Sequence, residues 1–315
     1  MAQLGLEELS PVGSAERVDL DVVFIHGPFG NRIDTWTKHG VLWPKTLLSE
    51  DLPRARILTL GYDSDGTKSN RVTDVSMESY ASDLCERLTS FRAGRESSDR
   101  PLVFVAYSLG GLLCAQIIVK GALGDGADSM SIIANNTRGI VFLGTPFQGT
   151  RVAPWGKIVN AIASVTRKDP TQKVESPDQK SEMLNTLVNS FASVLHQRKR
   201  DKREITVTFF HETKKLHGNW IVPKQNSRIP GFGDHASINA DHSTMCKFAD
   251  QDSPGYQSVL AAIKKASVKG DTRLEDDTPV SHVENNNWGT VHNQVLGNQT
   301  IIGGMNFMAE RGLVE

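Results

Sequence analysis

The stretch "FVAYSLGGLLCAQ", Phe104–Gln116, decides the fold. An apolar run leads into Ser108, Gly110 and Gly111 follow, and a second apolar run begins at once. A buried strand that passes directly into a helix through a serine and small residues is the sequence form of a nucleophile elbow. In that turn the serine oxygen stands above the edge of a sheet. The helix starting behind it turns backbone N–H groups and the positive end of its dipole toward the same point, where developing negative charge is stabilised. The amide of Leu109 is therefore a candidate oxyanion donor. The usual spacing is G-x-S-x-G; here the first position is Ala106, the next smallest residue.

On either side of this stretch lie other short apolar runs bounded by turn residues: Leu20–Gly27, Ala55–Tyr62, Arg138–Pro146 and Glu204–Glu212. With Pro101–Ser108 they predict buried parallel strands. Helical spacing separates them, as in Val72–Phe91, where Val75, Tyr80, Leu84 and Leu88 fall near one face, and in Leu109–Lys120, apolar nearly all round. Alternation of this kind predicts an α/β fold, a mostly parallel central sheet flanked by helices. The 315 residues are 38% hydrophobic, ample for a core. Lys+Arg 35 against Asp+Glu 36 leaves a net charge of −1, which gives no electrostatic ground for nucleic-acid binding. Cys85, Cys114 and Cys246 are an odd, widely spaced set without a CxxC pair and read as buried thiols. Residues 1–20 lack the basic and apolar regions of a signal peptide, and no apolar run approaches membrane-spanning length. The expectation is a soluble cytoplasmic protein.

Three segments depart from the alternation. Residues 151–203 contain no strand and predict a helical insertion, one helix near Trp155–Val165 and another over Ser181–Gln197. Trp155 and Ile158 of the first are candidates for an apolar lid or substrate wall, although core packing explains the same stripe. The basic tract His196–Glu204 reads first as a solvated helix end and second as a contact for anionic headgroups. A last helix near Gly255–Ala266 closes the domain, assigned to residues 1–268, and residues 269–284 are a polar linker. Beyond it, residues 285–307 carry no Asp, Glu, Lys or Arg, and alternate Asn, Gln and Gly with Val, Leu and Ile. Low charge, no proline and short β-prone runs favour cross-β structure over a solubilising tail or a closing strand, although the glycines are more numerous than a steric zipper prefers.

A serine nucleophile needs a base and an orienting acid. His242, in the polar stretch "INADHSTMCKF", is the candidate base and His235 its nearest competitor. Glu212, ending the run "ITVTFFHE", is the candidate acid, with Asp234 and Asp241 as alternatives. The loop after the first long strand, "HGPFG", brings His26 and Gly27 toward the same edge, with Gly27 a candidate part of the oxyanion hole and His26 a candidate substrate contact. Pro28 follows and has no N–H, so either Phe29 donates to an oxyanion or the hole has one donor fewer. A lost donor costs about 100- to 1,000-fold in rate.

These motifs, in order from "DVVFIHG" through "YSLGGLLCAQIIVKGAL" and "GIVFLGTPFQGT" to "TFFHET" and "DHSTMCKF", resemble the SesB-like serine esterases of filamentous fungi. That α/β-hydrolase group is similar to the mitochondrial serine active site-containing protein. The resemblance covers roughly residues 4–266. It implies Ser108 as nucleophile, Glu212 as acid, His242 as base, an ester or lipid acyl substrate, and a membrane surface as a partner. Ala106, Pro28 and Phe147, which stands where relatives often carry histidine, depart from the pattern. Residues 285–307 resemble the sigma type of fungal amyloid-signalling motif. That resemblance implies homotypic amyloid assembly and a NOD-like receptor with a matching motif, in innate immunity or incompatibility cell death. No metal site and no phosphate-cradling loop is legible, so no cofactor is expected. The competing expectation is a weakly catalytic hydrolase-fold protein that works by assembly.

Overall fold

A computed structural model describes residues 4–10, 18–28, 30–63, 74–95, 97–148 and 177–268. The apolar runs form strands as their patterns predict. These are β2 (Leu20–Ile25), β3 (Ala55–Gly61), β4 (Leu102–Tyr107), β5 (Thr137–Leu143) and β6 (Thr206–Glu212). Two shorter strands, β1 (Gly5–Glu8) and β7 (Asp234–Ile238), stand at the two edges. The seven-stranded order is β1-β3-β2-β4-β5-β6-β7. All neighbours are parallel except β1, which runs antiparallel to β3.

Among the described residues, five helices of eight residues or more flank the sheet: α1 (Asp74–Ala93), α2 (Gly110–Leu123), α3 (Ser129–Asn136), α4 (Pro177–Arg200) and α5 (Pro254–Val268). Because strand side chains alternate between faces, the parallel strands build two cores. Val23, Ile25, Phe104, Ala106, Ile140, Phe142 and Phe209 face α1–α4, whose Leu84, Leu88, Leu112, Ile117, Ile133, Leu187 and Phe191 are buried against them. Val22, Phe24, Val103, Val105, Val141 and Phe210 face α5 and the segment that carries Trp36 and Trp43. Each of the Val, Leu, Ile and Phe side chains among them contributes about 1.5–3 kcal/mol when fully buried.

Of the insertion expected over residues 151–203, α4 is described and residues 149–176 lie outside the described set. The described half is the crossover from β5 to β6, and its apolar stripe covers the sheet. Phe147 belongs to the same core. Its ring packs edge-on against Phe142, 4.8 Å between centroids, and stacks on Phe191 at 6.3 Å. An aromatic at this position therefore completes the core.

The chain goes from β2 outward to β3, then returns across β2 to β4. Between β2 and β4 the connections leave in opposite directions, which opens a crevice at the carboxyl ends of those strands. His26-Gly27 follows β2 and Ser108 follows β4.

Candidate active site

Ser108 leaves β4 at φ 54°, in the left-handed region that a residue with a Cβ seldom occupies. Neighbouring backbone holds it there: its N–H donates to Leu143 O at 2.9 Å, and its carbonyl accepts from Gly111 N at 3.1 Å. Two close approaches explain the small residues around it. A Cβ on Gly110 would stand 2.4 Å from His26 O, and one on Gly27 would stand 2.9 Å from the Ser108 Cβ. Ala106, by contrast, sits within β4 between Ile25 and Phe142 and is fully buried, where a methyl group fits.

His242 lies on the irregular segment between β7 and α5. Its Nε2 is 3.1 Å from Ser108 Oγ, and its Nδ1 is 2.7 Å from Glu212 Oε2. Glu212 is the last residue of β6, and its other oxygen, Oε1, accepts from the amides of Ile221 at 2.7 Å and Val222 at 2.9 Å. All three side chains are buried. With Oε1 satisfied by backbone and Oε2 turned to the imidazole, the carboxylate orients the ring so that Nε2 faces the serine.

The alternatives stand elsewhere. His235 lies on β7 opposite Phe209 and stacks on it, 5.3 Å between ring centroids. Asp234 pairs with Lys265. Asp241 caps its own turn, with Oδ1 accepting from Ser243 Oγ at 2.7 Å and Thr244 N at 3.1 Å.

The segment carrying His242 is anchored by groups that the sequence does not advertise. Tyr107 Oη donates to His242 O at 2.8 Å, and Trp43 Nε1 donates to Cys246 O at 2.9 Å. The residue beside the serine thus fixes the backbone of its own partner. The amides of Ile221 and Val222 leave no trace in side-chain chemistry. Tyr107 could have been suspected from its place within the elbow.

The loop after β2 is closed on itself. Gly30 N donates to Gly27 O at 3.3 Å across Pro28, and proline pre-sets the backbone for the first central position of such a turn. His26 Nδ1–H donates to the same carbonyl at 2.8 Å, while Nε2 accepts from Tyr62 N at 3.4 Å. The ring stacks on Tyr62 at 4.4 Å, and Tyr62 Oη donates to His26 O at 2.8 Å. Burial pushes the His26 imidazole down to about 4, so it is neutral. Expected as a substrate contact, it is occupied on both nitrogens, by Gly27 O in its own loop and by Tyr62 N at the end of β3.

Leu109 is the N-cap of α2, next to the serine. Phe29, Trp155 and Ile158 lie outside the described residues. Among the described residues no group of three or more His, Cys, Asp or Glu converges as metal ligands would.

This sheet order, with a serine on a strained elbow at the switch point and a carboxylate and a histidine brought to it by later strands, defines the α/β-hydrolase fold. The chain matches no protein-family model. Among curated proteins it is similar to human protein SERAC1, with 28% identity over 280 residues, covering 81% of this chain and 40% of the human protein. The Danio rerio SERAC1 is 27% identical over 276 residues, covering 79% and 39%. The chain thus spans about two-fifths of the length of these relatives.

Solved structures with a similar course include a soluble variant of monoglyceride lipase from Saccharomyces cerevisiae, with 12% identity, 84% and 91% coverage and TM-score 0.43. A carboxylesterase of the thaumarchaeon Nitrososphaera gargenis is 9% identical, with 83% and 94% coverage and TM-score 0.47. These scores are modest, and the fold assignment rests on strand order and elbow geometry.

Proposed function

We propose that the chain is a serine hydrolase of carboxylic esters, with lipid acyl esters as the substrate class. The observation that carries this reading is the continuous hydrogen-bonded line from Glu212 Oε2 through both nitrogens of His242 to Ser108 Oγ. In the proposed reaction Ser108 Oγ attacks the ester carbonyl while His242 Nε2 takes its proton. Glu212 holds the resulting imidazolium. The tetrahedral oxyanion is met by the Leu109 amide, with Phe29 as the second donor because Pro28 has none. His242 then returns the proton to the leaving alkoxide; water, deprotonated by His242, attacks the acyl-enzyme, and the acid leaves as His242 gives that proton back to Ser108 Oγ. Gly27 keeps the loop close to the serine, and His26 acts as a neutral prop beneath it.

Fluorophosphonate labelling tests the assignment. The folded wild type should label and Ser108→Ala should not, with esterase turnover falling by about 10⁶. Labelling that survives the substitution sinks the proposed relay.

A second reading is favoured by Pro28 alone: turnover is slow, and assembly is the function. A well-folded wild type that never labels would support it. In either case residues 285–307 are proposed as an amyloid-signalling segment, joined through the linker 269–284 to the hydrolase domain 1–268. The chain would then be the effector of a fungal NOD-like receptor in innate immunity or incompatibility cell death. Composition supports this part: the segment has no charged residue and no proline. A peptide spanning 285–307 should form fibres with a reflection near ~4.7 Å. A peptide that stays monomeric at high concentration removes it.

A further inference from the structure

The connection from β6 to β7 carries no helix, and its first part is a small projecting finger. Leu216 and Asn219 exchange hydrogen bonds, N–H to O at 2.9 and 3.0 Å, across His217 and Gly218. Both central residues have positive φ, 48° and 80°, the geometry of a tight two-residue hairpin turn. One arm is tied down where Thr213 N and Lys214 N donate to Ala240 O at 3.1 and 3.0 Å. The other is tied where Ile221 and Val222 donate to Glu212. Both anchors lie at the edge that holds His242 and Ser108, so the finger is a fixed part of the rim around them.

Its side chains are of two kinds. Trp220 is 43% exposed and is the one aromatic among the exposed large apolar side chains of the described residues. A single exposed apolar residue needs no explanation; the surroundings distinguish this one. Lys214, Lys215, His217 and Lys224 are exposed on the same segment. Residues 213–233 contain Lys214, Lys215, Lys224 and Arg228 and no Asp or Glu, in a chain whose overall charge is −1. An amphipathic ring among lysines suits the headgroup region of a membrane, where the indole body is shielded and ammonium groups meet anionic lipid.

We infer that the 213–224 finger docks the molecule on an anionic bilayer surface, with Trp220 inserted at headgroup level and Lys214, Lys215 and Lys224 against lipid phosphates. Docking at this rim sets the nucleophile facing the acyl-ester layer. What is delivered rests on the ester-hydrolase reading above; the docking itself does not.

The test is vesicle flotation of the full chain, since flotation separates lipid-bound protein from aggregates that sink. Wild type should float with phosphatidylcholine vesicles that contain phosphatidylglycerol, lose that binding as salt rises, and float poorly with phosphatidylcholine alone. Lys214→Ala/Lys215→Ala should weaken binding about 30-fold, and Trp220→Ala roughly tenfold. Fluorophosphonate labelling of each variant in solution reports that the fold and Ser108 are intact. Variants that label normally and float like wild type overturn the proposal. So does a wild type that labels and never floats, which would leave the finger as a contact for an acidic protein surface. A wild type that floats and does not label would instead strike at the hydrolase reading and leave the docking standing.

Discussion

At Ser108 the φ of 54° is held by Leu143, by the close approach of Gly110 to His26 and by the absence of a side chain on Gly27. Strain of this kind costs on the order of 1–3 kcal/mol and persists because the surroundings over-determine it. His26 is part of those surroundings, and its chemistry gives a pH dependence. Burial holds its pKa in the folded chain at about 4, below the ordinary imidazole value of 6.5, so between these values the unfolded chain binds a proton that the folded chain does not. Stability from the neutral ring is full above about 6.5 and is lost as pH falls through that window, reaching roughly 3 kcal/mol at its acid end. Urea unfolding at pH 7 and pH 4.5 should show this loss for wild type and a smaller one for His26→Gln; equal slopes would refute it. Glu212→Gln should keep the backbone bonds of Ile221 and Val222 through the amide oxygen, yet lower turnover by about 10⁴ by disfavouring the required imidazole tautomer.

Elements bring these residues together with uneven legibility in the sequence. Strands β2 to β6 were readable because burial on both faces writes a continuous apolar run, and Ser108 because a strand, small residues and a helix surround it. His242 and Glu212 were readable by place, at a late loop and a strand end. Strands β1 and β7 were not: "GLEE" and "DHASI" are polar edge sequences, made into strands by the neighbours they pair with rather than by propensity. Helix α3 has only eight residues, too short to display a period. Its start is fixed by Asp128, whose carboxylate accepts from Ser131 N at 3.0 Å. The tie from Tyr107 to the His242 carbonyl belongs to the same hidden class, since both partners are ordinary until folding juxtaposes them. Tyr107→Phe should cost about 1–3 kcal/mol in urea unfolding by leaving that buried carbonyl short of a donor. It should also lower kcat more than it raises KM, because the base loses its anchor; unchanged kcat would reduce the bond to packing.

Across the whole molecule the reacting edge has a structural counterpart at the other end of β2. Asp21, with no exposed surface, takes a bidentate pair from Arg56 at 2.8 and 2.7 Å, a bond from Arg92, and one from Arg100 at 3.2 Å. Arg92 also donates to the carbonyls of Ser98 and Arg100, so one carboxylate gathers β2, β3, α1 and the approach to β4. Asp21→Asn leaves three guanidinium groups without their counter-charge and should cost about 3–5 kcal/mol. Arg100, 17% exposed where Arg92 is 1% exposed, should matter less, and an Arg100→Ala as damaging as Asp21→Asn would contradict this ranking. The strand between Asp21 and Gly27 rises about 20 Å, so these losses should appear in unfolding and not in the pH profile of turnover. The order in which the strands are laid down has a further consequence during synthesis. Ser108 and His242 are separated by 134 positions; the proposed acid ends β6 and the proposed base follows β7. A ribosome that has released only the first 200 residues therefore carries the serine without its relay. On the proposed mechanism the growing polypeptide is chemically silent, and its reactivity is switched on by finishing the sheet.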